Sequence, residues 1–274
     1  MILGLTIAVI DKGLYLFMHM AALGSGMNPE EYSKMYAQEN TYWWFQGRKK
    51  ILFRMIERFG LLKGGKARAL DIGCGTGLIL EELNGRATAL GLDFSHQALS
   101  FCKKRGLDNL ISGDVSQLPI ADASLDLVLA LDLFEHVKDD VSLVRDIYRI
   151  LKPGGYLLAT VPAHQYLWSS HDEALHHFRR YSHSGFRNLI AGNGFTLEKY
   201  SFLITFTCFP ILVFRIVQKV LRRFKPTDQS PKTHIIILPN SINAALIRVL
   251  EMEGMLLERM NLPIGVSLIC IAKK

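Results

Sequence analysis

Apolar and polar positions alternate between two periods along this chain. Short apolar runs of strand length occupy residues 67–72, 87–93, 109–112, 127–131 and 156–161. Helical patterns stand between them at 78–83, 95–105 and 139–151. Strands alternating with helices in this way predict an α/β fold built on a parallel sheet. A helix over 184–191 and two more strands, 195–200 and 266–272, follow. The boundaries carry their own punctuation. Ser95 and Ser182 stand where N-caps belong, while Gly106 and Gly192-Asn193-Gly194 stand where helices stop. Lys152-Pro153-Gly154-Gly155 ends helix 139–151 in a turn. Upstream, Asn28-Pro29-Glu30-Glu31 reads as a helix start, and a second helix is expected over 51–59, behind Tyr42-Trp43-Trp44-Phe45-Gln46-Gly47-Arg48.

The first strand runs into Asp71-Ile72-Gly73-Cys74-Gly75-Thr76-Gly77 before its helix begins. Glycines at such a corner let the backbone turn tightly and close on a ligand where a Cβ would block it. The spacing Gly73-x-Gly75-x-Gly77, with Leu78 next, is not the G-x-G-x-x-G that seats a pyrophosphate. Asp93 ends the second strand about 20 residues on, where a carboxylate takes both ribose hydroxyls of a nucleoside. The alternative is an ordinary aspartate capping the following helix.

These motifs resemble those of the class I S-adenosylmethionine (SAM) methyltransferases, and the resemblance runs in order from Asp71 to Val161. It implies a Rossmann-like, doubly wound sheet of seven strands, the last inserted antiparallel, with SAM as cofactor. Asp71, Gly73, Cys74, Gly75 and Gly77 would hold SAM at the glycine turn. Asp93 and Phe94 would lie at its ribose, Asp114 and Val115 at its adenine, and Leu131 beside it. Leu118-Pro119 through Asp126 and the Leu-Lys-Pro-Gly-Gly-Tyr-Leu run over 151–157 fit the same family. The pair Glu135-His136 is similar to that of ubiquinone- and menaquinone-type small-molecule methyltransferases. Nucleic-acid amino-methylating enzymes carry Asp/Asn-Pro-Pro-Tyr/Phe at that point, and cytosine C5 enzymes a Pro-Cys pair. Neither occurs here, so no nucleic-acid partner is expected.

Residues 162–182 depart from a generic scaffold and crowd four of the nine histidines with aromatic and arginine side chains. A long polar-aromatic loop at this edge of an α/β sheet is usually functional. His177-x-Arg179-Arg180-Tyr181, together with the Trp-Trp-Phe-x-x-Arg segment, resembles a bacterial methyltransferase subgroup in which many members are tied to envelope or lipid-linked sugar pathways. His176 stands where that subgroup has glycine. The expected catalytic residues are His177, His136, Arg180 and Tyr181, with His177 or His136 as the base for a hydroxyl acceptor. Two alternatives compete. Asp172 pairs with Arg179 or Arg180 only to fold the loop, or His171, Asp172, His176 and His177 ligate a metal. The set follows no standard motif, so no metal is assigned.

Composition changes the picture in one respect. In 274 residues the hydrophobic content is 49% and the net charge +7, and the apolar surplus falls at 1–24 and 201–224. Neither stretch offers the roughly 20 uninterrupted apolar residues that span a bilayer. Arg215, Lys219, Arg222 and Arg223 fall on one helical face of 213–224, opposite Val213, Val217, Val220, Leu221 and Phe224. That is the composition of a helix lying in an anionic lipid interface. A packed subdomain or homodimer contact through 201–262 is the other reading. Four cysteines show no zinc or C-x-x-C spacing and read as reduced. The expected organisation is an apolar extension over 1–26 (with Met27 an alternative natural start), a helical aromatic lid over 27–66, a SAM-binding core over 67–200, a helical insertion over 201–262 and a final strand over 263–274. The expected function is methyl transfer to a lipophilic or lipid-linked small molecule at the cytoplasmic face of a membrane. A methyltransferase acting on a tailoring metabolite or sugar, or a SAM-binding accessory protein, is the alternative.

Overall fold

A computed structural model describes residues 6–10, 13–17, 29–62, 66–208 and 238–274. Strands β1 (Thr6–Ile10) and β2 (Gly13–Phe17), on either side of Asp11 and Lys12, pair antiparallel. They are followed by α1 (Pro29–Gln38) and α2 (Trp43–Arg58). Next come β3 (Arg68–Ile72), α3 (Leu78–Asn84), β4 (Thr88–Asp93), α4 (His96–Lys104), β5 (Leu110–Ser112) and β6 (Leu125–Leu131). The chain continues through α5 (Asp140–Ile150), β7 (Leu151–Pro162), α6 (Ser170–Ala174), α7 (His183–Ala191), β8 (Thr196–Leu203), α8 (Asn240–Leu257) and β9 (Ser267–Lys273).

The seven-stranded sheet has the order β5-β4-β3-β6-β7-β9-β8. Strands β3 to β7 run parallel, and β9 lies antiparallel between β7 and β8. The expected α/β class, seven strands and antiparallel last strand are all present. The strand order reverses between β3 and β6, so the crevice beyond their carboxyl ends is where an open α/β sheet takes its ligand. Central strands read as continuous apolar runs because both faces are covered: Leu127, Val128, Leu129 and Ala130 are fully buried. Helices α2 and α8 supply Ile51, Leu52, Met55, Leu250 and Leu257 to one core, while α5 and α7 supply Leu143, Ile147, Phe186 and Ile190 to the other.

Three boundaries differ from the sequence reading. Helix α2 begins at Trp43, not Ile51, so both tryptophans lie in its first turn. Its N-terminus is bound from far along the chain: Trp43 N donates to Asn243 Oδ1 at 2.8 Å, and Asn243 Nδ2 donates to Thr41 O at 2.8 Å. No local cap signalled that start. Helices α2 and α8 pack so closely that a Cβ on Gly47 would collide with Leu250. The Lys152–Gly155 turn is absorbed into β7 as an irregularity, with the pairing passing from Leu125–Leu151 to Leu127–Tyr156 and Gly154 at φ 80°. Strand β8 extends to Leu203 because Phe202 and Leu203 pair with β9. Beyond it, buried Glu253 of α8 accepts the amides of Thr205 and Phe206 at 2.8 and 3.2 Å, fixing the path that leaves the sheet. The basic pattern over 213–224 lies outside the described residues. Among the described residues no helix is long and apolar enough to cross a membrane.

Candidate active site

The glycine turn sits at the carboxyl end of β3, with φ at 72°, 55° and 88° for Gly73, Gly75 and Gly77. Residues with a Cβ seldom adopt that region, which is why this corner needs glycine. The amides of Gly73 and Cys74 donate to Leu92 O at 2.7 and 3.1 Å, joining the turn to β4. Asp93 completes the link, its two oxygens accepting the amides of Gly75 and Ser95, each at 2.9 Å. A cavity of about 130 Å³ opens over the turn, lined by Asp71, Gly73, Cys74, Gly75, Thr76 and Leu131 and, from the N-terminal segment, by Met35, Glu39 and Arg48. Burial, with the charge of Asp93 beside it, pushes the Asp71 carboxyl up to about 8. Burial also raises Asp93, against the amides of Ser95, Gly75 and Phe94 that favour its charge.

Of the expected cofactor residues, Asp71, Gly73, Cys74, Gly75 and Leu131 therefore share one cavity. Gly77 stands behind it as the N-cap of α3. Phe94 is half exposed just beyond β4. Asp114, after β5, is exposed and turns one oxygen to the amide of Ser116 at 2.9 Å, while Val115 is half-buried against the core. All of these occupy the same edge of the sheet. Asp93 combines both sequence readings: it ends β4 at the expected place, yet its carboxylate is already engaged with two backbone amides.

The sequence reads 27–66 as a helical aromatic lid without singling out Glu39 or Arg48 as residues that line the cavity. Glu39, at the end of α1, is buried and accepts from Thr76 Oγ1 and Arg105 Nη2, both at 2.6 Å, binding the N-terminal helices to the glycine turn. Arg48 of α2 pairs with Asp132 Oδ2 at 2.7 Å and donates to Thr160 Oγ1 at 3.0 Å, and Thr160 donates to Asp132 Oδ1 at 3.0 Å. Asp132 holds φ 52°, so the chain leaving β6 is bent beneath α2. Arg48 had a signal in the Trp-Trp-Phe-x-x-Arg segment; Glu39 had none.

The second group of residues lies where β6 and β7 end. A single 3-10 turn, Phe134–His136, follows β6, and the loop after β7 folds back on it through Phe178 N to Glu135 O at 2.7 Å. The rings of His136 and His177 meet edge to face, 4.6 Å between centres. His177 Nδ1 lies 3.1 Å from Asp172 Oδ1, which also accepts Arg180 Nε at 2.7 Å, while Asp172 Oδ2 accepts the Ser169 amide at 2.8 Å. Burial opposes the charge on Asp172, but the bond to His177 and the Arg180 guanidinium outweigh it and hold the carboxyl below its usual range. Burial and the neighbouring His177 bring His136 down to about 4, so its ring is neutral near pH 7. Glu135 is wholly buried, and among the described residues neither carboxylate oxygen has a hydrogen-bond partner. Burial and the charge of Asp132 drive its pKa well up.

Two of the expected catalytic residues, Arg180 and Tyr181, are buried and hydrogen-bonded. Arg180 is buried, spending Nε on Asp172 and Nη1 on Ala163 O at 3.1 Å. Tyr181 is buried too, its hydroxyl donating to Asp140 Oδ2 at 2.7 Å. Both hold the loop shape. Arg179 pairs with Asp140, not Asp172, at 2.8 Å. His176 adopts φ 55°, the left-handed conformation that explains a glycine in the resembling pattern. Of the metal set considered from sequence, Asp172 and His177 bind each other. Glu135, His136 and His177 come together instead, with one potential ligand atom from each lying within 4.8 Å of the others. Glu135 was read from sequence only as half of a family pair, because nothing local marks its burial.

Residues 70–159 match the family model described as a methyltransferase domain. The chain is 33% identical over 141 residues to the ubiquinone biosynthesis O-methyltransferase of Escherichia coli K12, covering 46% of this chain and 58% of that protein. It is 32% identical over 146 residues to the protein of the same name from another Escherichia coli strain, covering 48% and 60%. The chain thus spans about three fifths of the length of these relatives. Among solved structures, a SAM-dependent methyltransferase from Archaeoglobus fulgidus superimposes with a TM-score of 0.52 at 21% identity, covering 82% of this chain and 94% of that one. The [4+2]-cyclase SpnF superimposes at 0.55 and 18% identity, covering 92% and 97%. At such identities the structural likeness speaks for the fold, and the sequence matches speak for the domain. Residues 70–159 thus carry a methyltransferase domain, on a fold shared with SAM-dependent methyltransferases of known structure.

Proposed function

We propose that this protein transfers the methyl group of SAM to a lipophilic or lipid-linked small molecule at the cytoplasmic face of a membrane. The observation that carries the transfer reading is the buried Asp172–His177 pair set against Glu135 and His136, next to the glycine-turn cavity on the same sheet edge. SAM brings the reactive sulfonium with it. The protein's task is to align acceptor, methyl and sulfur and to exclude water. In this reading SAM's amino-acid end lies over Gly73–Gly77, its ribose at Asp93 and its adenine near Asp114 and Val115. His177 meets the proton-bearing atom of the acceptor, its ring held by Asp172. The curated relatives' name, ubiquinone biosynthesis O-methyltransferase, supports a lipophilic hydroxyl acceptor. Release of S-adenosylhomocysteine, assayed with lipid-linked and with water-soluble hydroxyl compounds, tests the assignment. Turnover only on the soluble set overturns the lipophilic acceptor.

Cofactor binding should release a proton. Asp71, raised to about 8, is protonated in the empty site near pH 7, and a sulfonium and ammonium nearby favour its ionised form. Calorimetry at pH 7 in buffers of different ionisation enthalpy should show proton release on SAM binding that Asp71→Asn abolishes. The same release in Asp71→Asn would remove Asp71 from the cofactor seat.

The membrane reading rests on the sequence of 213–224. The protein is expected to co-sediment with vesicles containing anionic lipid, each basic residue contributing about 1 kcal/mol near the surface. Added salt should weaken this binding. Reversing Arg215, Lys219, Arg222 and Arg223 to Glu should release it without loss of SAM binding. Protein that stays in the supernatant at low salt favours the packed-helix reading.

A further inference from the structure

We propose that Asn243 is a positioning residue for the cofactor seat, acting from α8 through the start of α2. Helix α2 carries Phe45, Arg48 and Leu52 to the lining of the glycine-turn cavity. Where those side chains stand depends on where the helix begins. Its N-cap residue, Tyr42, makes no side-chain cap bond. The cap comes from Asn243, whose Oδ1 accepts the Trp43 amide while its Nδ2 donates to Thr41 O, each at 2.8 Å. One side chain thus holds the backbone on both sides of the junction between α1 and α2. An oxygen on a first-turn amide is what an N-cap normally supplies from within its own turn. Here it is supplied from a residue 200 positions away.

Further along, the two helices are fastened by other means. Leu250 fills the space over Gly47, and Gly254 lets α8 approach Ile51 and Arg54. Lys50 pairs with Glu251, and Arg54 with Glu258 at 2.8 Å. Arg48 is held from the sheet side by Asp132 and Thr160. The first turn, which carries Phe45, relies on Asn243. Without that cap the turn frays, and SAM meets a seat that is assembled only part of the time. Its apparent affinity then falls by the assembled fraction. Asn243 itself stands outside the cavity lining, so it acts through α2. The proposal rests on the reading of the glycine-turn cavity as the SAM seat.

The test is SAM calorimetry on the full chain, with tryptophan emission read on the same samples. Asn243→Ala is expected to weaken SAM binding roughly 10-fold, the scale on which a lost N-cap shifts a helix start. Its emission should move to the red, because buried Trp43 and its neighbour Trp44 are two of the chain's three tryptophans. Asn243→Asp keeps an acceptor for the Trp43 amide and should recover most of the affinity. Ile190→Val, a stability loss of similar size in the opposite core, should leave affinity and emission as in wild type. Should Asn243→Ala fail to fold, Asn243→Gln carries the test, since it displaces the same amide by one methylene and should weaken SAM binding likewise. Wild-type affinity in the Asn243 variant, or an equal loss in Ile190→Val, overturns the proposal. Gly75→Val separates it from the reading beneath it, because a Cβ at φ 55° strains the turn itself. SAM binding that survives Gly75→Val overturns the seat and the proposal with it. Weak binding there, beside unchanged binding in the Asn243 variant, overturns the proposal alone.

Discussion

Asp172→Ala is expected to lower the unfolding free energy by about 3–5 kcal/mol, the usual cost of breaking a buried ion pair from one side. Asp172 is completely buried and its partner Arg180 nearly so. Removing the carboxylate leaves the guanidinium without its counter-charge in a place water does not reach. It also removes the acceptors of the Ser169 amide and of His177 Nδ1. The pH dependence has a definite sign. A carboxyl held below its unfolded value of 3.8 contributes its full stability above about pH 4 and loses it as the solution becomes more acid. The difference between wild type and Asp172→Ala should therefore be constant from neutral pH down to about 4 and shrink below that. Urea unfolding at several pH values measures it. A difference under about 1 kcal/mol at neutral pH would place the pair in an exposed setting, where such bridges contribute little.

His177→Ala is expected to lower turnover roughly a hundredfold or more while leaving SAM affinity nearly unchanged. The separation follows from the layout. Asp71, Gly73, Gly75 and Leu131 line the glycine-turn cavity, whereas His177 belongs to the loop beyond β7 and meets His136. Steady-state release of S-adenosylhomocysteine and SAM calorimetry on the same preparation give the two quantities. Wild-type turnover in the variant would reduce His177 to a packing residue of the loop. A parallel loss of SAM affinity would place it at the cofactor.

The amino-acid sequence by itself determined the sheet, the glycine corner and the likeness that names the cofactor. Each is a local property. A buried parallel strand must be a short apolar run, a turn with three positive φ values must be glycine, and a helix start shows in Pro29, Ser95 or Ser182. The tertiary structure decided whatever depends on partners distant in sequence. The start of α2 is set by Asn243, and the cavity roof is set by Glu39 reaching Thr76 and Arg105. The same holds within the 162–182 loop. Its composition announced a site, but not which side chains would turn inward. Arg180 turns to buried Asp172 and the Tyr181 hydroxyl to Asp140, and only packing settles that. Glu135 shows the limit most plainly. A glutamate after a buried strand reads as a surface residue until the returning loop covers it, and burial without a partner is a property of the assembled fold that no local pattern encodes.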